Sequence, residues 1–184
     1  MTLVFSIKMD IDYENIGYLK NGNPRQQKAY SILTDYQLLT RLGAYTPIVV
    51  GTIPIHLDIE NSDLDIICHF HDIEEYIHFI KEAFSSYKHF YIQTHIQKQE
   101  PSVVIKMEIE GLVIEIFGQN IPTKAQFAYR HMCIEHQLLC ENDESFRLKI
   151  IDLKRQGYKT EPAFAMMLGL RGNPYEELLK YEKR

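Results

Sequence analysis

Val49-Val50-Gly51-Thr52 is followed, ten residues beyond Thr52, by Ser62-Asp63-Leu64-Asp65-Ile66. The first stretch reads as the end of a strand running into a phosphate-sized backbone turn. The second reads as the start of another strand, Asp63 to Phe70. Side chains at i and i+2 leave the same face of a strand, so Asp63 and Asp65 share a face while Leu64 and Ile66 turn into a core. Two ionised carboxylates roughly 5 Å apart repel by about 3 kcal/mol at an effective dielectric near 20. A bound cation removes that cost. Mg²⁺ suits the position because it takes one or two carboxylates and fills its octahedron with waters and substrate phosphates. A solvated strand start with two exposed acids is the competing reading.

A third acid bears on that choice. Leu112-Val113-Ile114-Glu115-Ile116-Phe117 is a short apolar run rich in β-branched residues and interrupted by one carboxylate, the pattern of a nearly buried strand. An unpartnered carboxylate there is costly and tends to become neutral. The cation that Asp63 and Asp65 would hold is its expected partner, so the three acids predict one site on neighbouring strands.

This pattern of an apolar residue, a glycine turn, a gap of about ten residues, Asp-x-Asp among apolar residues and a lone acid on a later strand resembles the nucleotidyltransferase superfamily of the polymerase-beta type. The matching residues are Val50-Gly51-Thr52, the approach Ile59 to Ser62, Asp63-Leu64-Asp65 and Glu115. More narrowly, Val50-Gly51-Thr52-Ile53-Pro54-Ile55 with Ser62-Asp63-Leu64-Asp65-Ile66-Ile67-Cys68 is similar to a small bacterial family of nucleotidyltransferase-like proteins whose domain has no assigned function. Ala128-Tyr129-Arg130-His131-Met132 and Lys159-Thr160-Glu161-Pro162-Ala163-Phe164-Ala165 resemble that family too.

The resemblance implies an α+β fold, a mixed sheet flanked by helices with a C-terminal helical part. It implies Asp63, Asp65 and Glu115 as ligands of Mg²⁺ (or Mn²⁺), with Glu115 alternatively helping to deprotonate the acceptor. Gly51 and Thr52, with Ser62, would approach a nucleoside triphosphate through backbone N–H groups and hydroxyls. Metals can neutralise developing phosphoryl charge and clamp attacking and leaving oxygens. One departure stands out: many relatives carry a basic residue on a helix after the turn, whereas here no Lys or Arg occurs between Arg41 and Lys81. Phosphate charge then has to be met by metal, backbone or a base from elsewhere. The same chain therefore also suits a catalytically inactive nucleotide-binding or protein-interaction module.

With 184 residues and 45% hydrophobic content, the chain can bury a substantial core and is expected to form a single domain, 1–184. Residues 23–118 form the expected α/β core and 123–184 a packed helical part. The formal net charge of −5 argues against nonspecific nucleic-acid binding, which needs Lys and Arg to neutralise phosphates. Three cysteines suggest no secreted disulfide framework. Met1 to Lys8 is too short, and too soon followed by Asp10 and Asp12, for a signal peptide. No apolar run approaches the roughly 20 residues that span a bilayer. A cytoplasmic location without membrane partners is the expectation; oligomeric state is open.

Helix signals begin with Asn23-Pro24, a cap followed by proline at the first helical position. Ala29, Tyr30, Leu33, Tyr36, Leu39 and Leu42 then give one apolar stripe up to Gly43. Thr46 to Val50 reads as a strand, and Asp72 as the cap of a second helix to about Ser86 with Ile73, Tyr76, Ile77, Ile80 and Phe84 inward. Strands are expected near 90–97, 102–110 and 112–117, the last two joined by a turn at Gly111. Beyond Pro122, Thr123 caps a helix through about Cys140, Asp143 starts another reaching Gln156, and Glu161 to Leu168 and Pro174 to Lys183 follow.

Arg130 and Lys159 are candidate phosphate contacts from that helical part, against the commoner fate of a structural or exposed base. Glu161 suits pairing with either base or capping the next helix. Arg147, Lys149, Lys154, Arg155 and Lys159 form either an acceptor-facing patch or a solvated helix surface. Cys133, His136 and Cys140 share a helix face, but three ligands from one helix make a poor zinc site, and a buried face is the better reading. His69 and His71 share the parity of Asp63 and Asp65 but lie too far along the strand to act as ligands. The leading expectation is a metal-dependent transfer of a nucleoside monophosphate, AMP foremost, from a triphosphate to a hydroxyl on a small molecule or protein. The scaffold's overlap with antibiotic-modifying enzymes and with antitoxins that adenylylate a partner toxin supplies further versions. No motif encodes the acceptor.

Overall fold

The computed structural model describes residues 11–95 and 100–182. The expectations for Met1 to Lys8 and Asp10, the strand tail at 96–97 and the helix end at Lys183 lie outside these residues. Five strands form one mixed sheet in the order β1-β2-β5-β4-β3, with β1 Ile48–Val50, β2 Leu64–His69, β3 Lys88–His95, β4 Ser102–Ile109 and β5 Leu112–Gln119. β2 and β5 run parallel, and the other neighbours are antiparallel. This is the mixed α+β architecture expected from the sequence.

The register follows from local chemistry. Glu110 and Gly111 both adopt positive φ, 51° and 75°, as a two-residue type I′ turn requires. That turn pairs Ile109 with Leu112 and carries the pairing on to Lys106 opposite Glu115. Because β2 lies on the other side of β5, Asp65 is level with Glu115 as well, and Val50 is level with Asp65.

Each sheet face has its own apolar layer. One carries Leu64, Ile66, Val103, Ile105, Ile114 and Ile116 against α1 (Pro24–Asp35), α2 (Leu38–Arg41) and α3 (Ile73–Phe84). The other carries Ile48, Val50 and Ile67 against α4 (Phe127–Glu141), α5 (Glu144–Arg155) and α6 (Thr160–Leu168), with α7 (Pro174–Leu179) adding Leu178. By strand parity the second face also carries Asp65, Glu115 and Lys106. The helices reach only part of it: Val113 is 42% exposed. The acids therefore lie where helical cover gives way to solvent.

Several boundaries differ from the sequence reading. The expected helix to Gly43 is two helices, because Gln37 takes a left-handed conformation at φ 52° and breaks the backbone ladder after α1. Asn23 caps α1 in a reciprocal box with Gln26. Thr123 starts a 3₁₀ turn, Thr123–Ala125, and α4 begins at Phe127. Gln126, at its N-cap, points its amide into the core, donating to the Cys68 and Ile121 carbonyls, both at 2.9 Å. Thr46, with φ 43°, lies outside β1.

Candidate active site

Gly51 follows β1 directly and has φ +82°. A Cβ built on it would stand 2.1 Å from Asp65 Oδ2, so the Asp65 carboxylate lies flat against the glycine backbone. Glycine is needed here on two grounds, conformation and close approach. Asp65 and Glu115 are level on adjacent strands, and Asp63 precedes β2 with the same parity as Asp65. The strand acids expected from the sequence thus share one face of one sheet region.

Their electrostatics are strained and partly relieved. Burial first, then the charges of Asp63 and Glu115, push the Asp65 carboxyl well above the ordinary carboxylate range, while Lys106 and Lys154 pull it down. Lys106 Nζ sits 2.8 Å from Glu115 Oε2 and 4.0 Å from Asp63 Oδ2. The contact with Glu115 raises the lysine's own affinity for its proton. A cation is thus already present beside the acids, in the form of an ammonium from β4. Among the described residues no group of three His, Cys, Asp or Glu side chains is arranged to hold a metal. The donor set suits a divalent ion held by one or two carboxylates and completed by substrate oxygens, the habit of Mg²⁺.

The turn after Gly51 is held without a base of its own. Residues 51–62 form a loop whose Ile53, Ile55 and Leu57 are fully buried. Its carbonyls accept from side chains outside the loop: Gln26 Nε2 to Ile53 at 2.8 Å, Arg147 Nη1 to His56 at 2.8 Å, Lys154 Nζ to Leu57 at 2.6 Å and Arg25 Nη1 to Ser62 at 2.7 Å. Arg155 pairs with Glu60 at 2.7 Å. Arg147 and Lys154 therefore fasten the loop, whereas Arg155, paired with Glu60, and Lys149 and Lys159 lie on the solvated helix surface that the sequence allowed. Ser62 Oγ accepts from the Ile59 backbone N–H at 2.9 Å and from Thr52 Oγ1 at 3.3 Å, so the two hydroxyls close the loop's ends.

A cavity of about 350 Å³ opens between this sheet face and the helices, lined by Gly51, Thr52, Asp65 and Glu115 on one side and by His131, Glu135 and Glu161 on the other. Arg130 and Lys159 do not line it. Arg130 makes a two-pronged pair with Glu182 at 3.0 and 2.7 Å. Lys159 is the exposed N-cap residue of α6. Glu161 meets His131 Nδ1 at 3.6 Å. Burial alone would raise its carboxyl, but His131, the backbone N–H and Lys159 hold it below the ordinary value. His69 and His71 pack edge-to-face on each other at 4.5 Å. His136 is buried, with Cys140 Sγ 3.5 Å from its Nε2.

Two residues of the site escaped the sequence reading. Lys106 was legible in principle, since a two-residue turn at Glu110-Gly111 puts it opposite Glu115. Glu135 follows His131 by one helical turn on a face with Met132, Leu138 and Leu139, and a lone acid in an apolar stripe is a signal of the kind Glu115 gives.

A family model described as a domain of unknown function, DUF4269, matches residues 31–181. The chain belongs to this family. Among solved structures, DUF4269 as represented by this chain is similar to a cytoplasmic RNA terminal U-transferase, with 15% identity, TM-score 0.50 and coverage of 77% of this chain and 42% of that one. It is also similar to the Cid1 poly(U) polymerase in an H336N mutant form bound to MgATP, with 12% identity, TM-score 0.56 and coverage of 80% and 49%. Cid1 in complex with its short product ApU matches at 12% identity and TM-score 0.53, over 92% of this chain and 54% of that one. The chain spans about half the length of these structures. The likeness is one of fold, and the fold is nucleotidyltransferase-like. No curated protein matches.

Proposed function

We propose that the protein is a metal-dependent nucleotidyltransferase that moves a nucleoside monophosphate, AMP foremost, from a triphosphate to an acceptor hydroxyl. The observation that carries this reading is the seating of Asp65 on the Gly51 backbone, level with Glu115 on the neighbouring strand. Asp63 and Asp65 would hold Mg²⁺ or Mn²⁺, which when bound neutralises phosphoryl charge. Gly51, Thr52 and Ser62 would orient the triphosphate. The acceptor oxygen attacks the α phosphorus, the bond to the bridging oxygen breaks and pyrophosphate leaves. Glu115 is suited to take the hydroxyl proton, once Lys106 gives way. The loop clamps from α1 and α5 keep the turn rigid, which phosphoryl transfer needs because its catalysis is mostly positioning and electrostatics. Arg130 and Lys159, as phosphate contacts, would have to leave their present places.

Titration of each nucleoside triphosphate with Mg²⁺ into wild type, Asp63→Asn, Asp65→Asn and Glu115→Gln tests the reading. Metal-dependent binding to wild type, abolished by the strand substitutions, is expected. Equal binding by all four proteins, or by none, overturns it. A second reading, a catalytically silent module of the same fold, is favoured by the Lys106 ammonium already standing on Glu115. Nucleotide binding without pyrophosphate release in the presence of cell extract would support that version.

A further inference from the structure

The cavity beside the strand acids has an unusually acidic lining. Four carboxylates line it, Asp65, Glu115, Glu135 and Glu161, with His131 and with no Lys or Arg. Asp65 and Glu115 belong to the transfer site. Glu135 does not, and it is the less expected group: it is 4% exposed, it faces the cavity, and it makes no hydrogen bond or ion pair among the described residues. A buried carboxylate is ordinarily paired or hydrogen-bonded, because its desolvation is otherwise uncompensated. Burial and the neighbouring Glu161 push its carboxyl well above the ordinary range, against the pull of Lys154. Lys154 acts on Glu135 through its charge alone: its ammonium donates to the Leu57 carbonyl at 2.6 Å, and no hydrogen bond joins it to the Glu135 carboxyl.

A cation that enters from the cavity would give Glu135 the hydrogen-bonding partner that the described residues do not. A triphosphate is the wrong charge for this wall. Glu161 stands on the same wall, and Phe117, two residues beyond Glu115 on the same strand face, adds an aromatic surface. Carboxylates beside a ring are the chemistry that binds an alkylammonium.

We propose that Glu135 and Glu161 form an ammonium-binding subsite, so that the acceptor is a hydroxylated small-molecule amine. The acceptor's identity rests on the nucleotidyl-transfer reading; the ammonium subsite itself does not. The ammonium is held and does not react, and the hydroxyl carried on the same molecule is directed toward Asp65 and Glu115. Glu135 acts as a specificity-determining group.

The test uses the full chain without nucleotide or metal, so that its result stands apart from that of the nucleotide titrations. The probe is 1,3-diamino-2-propanol, with glycerol as the neutral molecule of the same skeleton, titrated by calorimetry into wild type, Glu135→Gln and Glu74→Gln. Binding of the diamine but not of glycerol is expected, weakened at least tenfold in Glu135→Gln and unchanged within twofold in Glu74→Gln, an exposed acid of α3 away from the cavity. Glu135→Gln keeps side-chain volume, and its circular dichroism melt verifies folding; Glu161→Gln is the second variant, with weakening in the same direction. The proposal is overturned if the diamine does not bind wild type, if glycerol binds equally, or if a folded Glu135→Gln binds the diamine as wild type does. Loss of nucleotide binding with retained amine binding would sink the transfer reading and leave the subsite standing.

Discussion

Gly51 holds two constraints at once, a left-handed backbone and a carboxylate in the space that a Cβ would fill. Gly51→Ala is expected to cost at least about 1 to 3 kcal/mol in backbone strain alone and to push Asp65 out of register with Glu115. A lowered melting temperature together with lost Mg²⁺-dependent nucleotide binding would show both effects; an unchanged melt would contradict the strain. Lys106 acts in the opposite direction. Its pair with Glu115 is partly exposed, so a metal that displaces the lysine bears a cost of no more than about 1 kcal/mol, or about fivefold in affinity. Lys106→Gln should therefore tighten Mg²⁺ binding by up to about fivefold in the absence of nucleotide. Weaker binding in that titration would mean that the lysine supports the metal site and does not compete with it. Asp63, Asp65 and Glu115 could be read from the sequence because an acid inside an apolar strand is locally anomalous. Lys106 is legible only through the hairpin register, because a lysine on an alternating strand is ordinary until the turn at Glu110-Gly111 gives it a partner.

The element that decides the site is the loop 51–62, whose carbonyls are held by α1 and α5. Lys154 in α5 is the clearest case, with burial as the main cause lowering its pKa from 10.5 to about 8. Between these values the unfolded chain binds a proton that the folded chain does not, so stability rises with pH across that window. As pH falls from 10.5 to about 8 that contribution is lost, and below about 8 both states are protonated and nothing further changes. The stability difference between wild type and Lys154→Met, followed by denaturant melts, should grow on the order of 3 kcal/mol from the lower to the upper limit. A difference flat in pH would show that the lysine is not protonated differently in the two states. The sequence suggested a phosphate-facing or solvated role for these bases because charge alone does not tell a carbonyl-binding ammonium from a phosphate-binding one. The α1 cap at Asn23, by contrast, was legible because its partner lies three residues away.

Over the whole molecule, the second apolar layer joins residues from both halves of the chain: Ile48, Val50, Ile55, Leu57 and Ile67 from the sheet and its loop, and Met132, Leu138, Ile150 and Phe164 from the helices. We infer from this shared layer that the chain folds as one unit. A chain ending at Pro122 is expected to lose its cooperative thermal transition and to aggregate, while the full chain melts in one step; a cooperative melt of the shortened chain would make the helical part a separate domain. No helix among the described residues is long and apolar enough to cross a membrane. The sequence by itself determined the strands, most of the helices and the three strand acids, since each rests on periodicity, a cap or a local anomaly within a few residues. Only the tertiary structure decided that α5 fastens the loop after Gly51 and that Glu135 faces the strand acids across a cavity. Those contacts join residues far apart in the chain, and they depend on sheet order and helix placement, which no local pattern encodes.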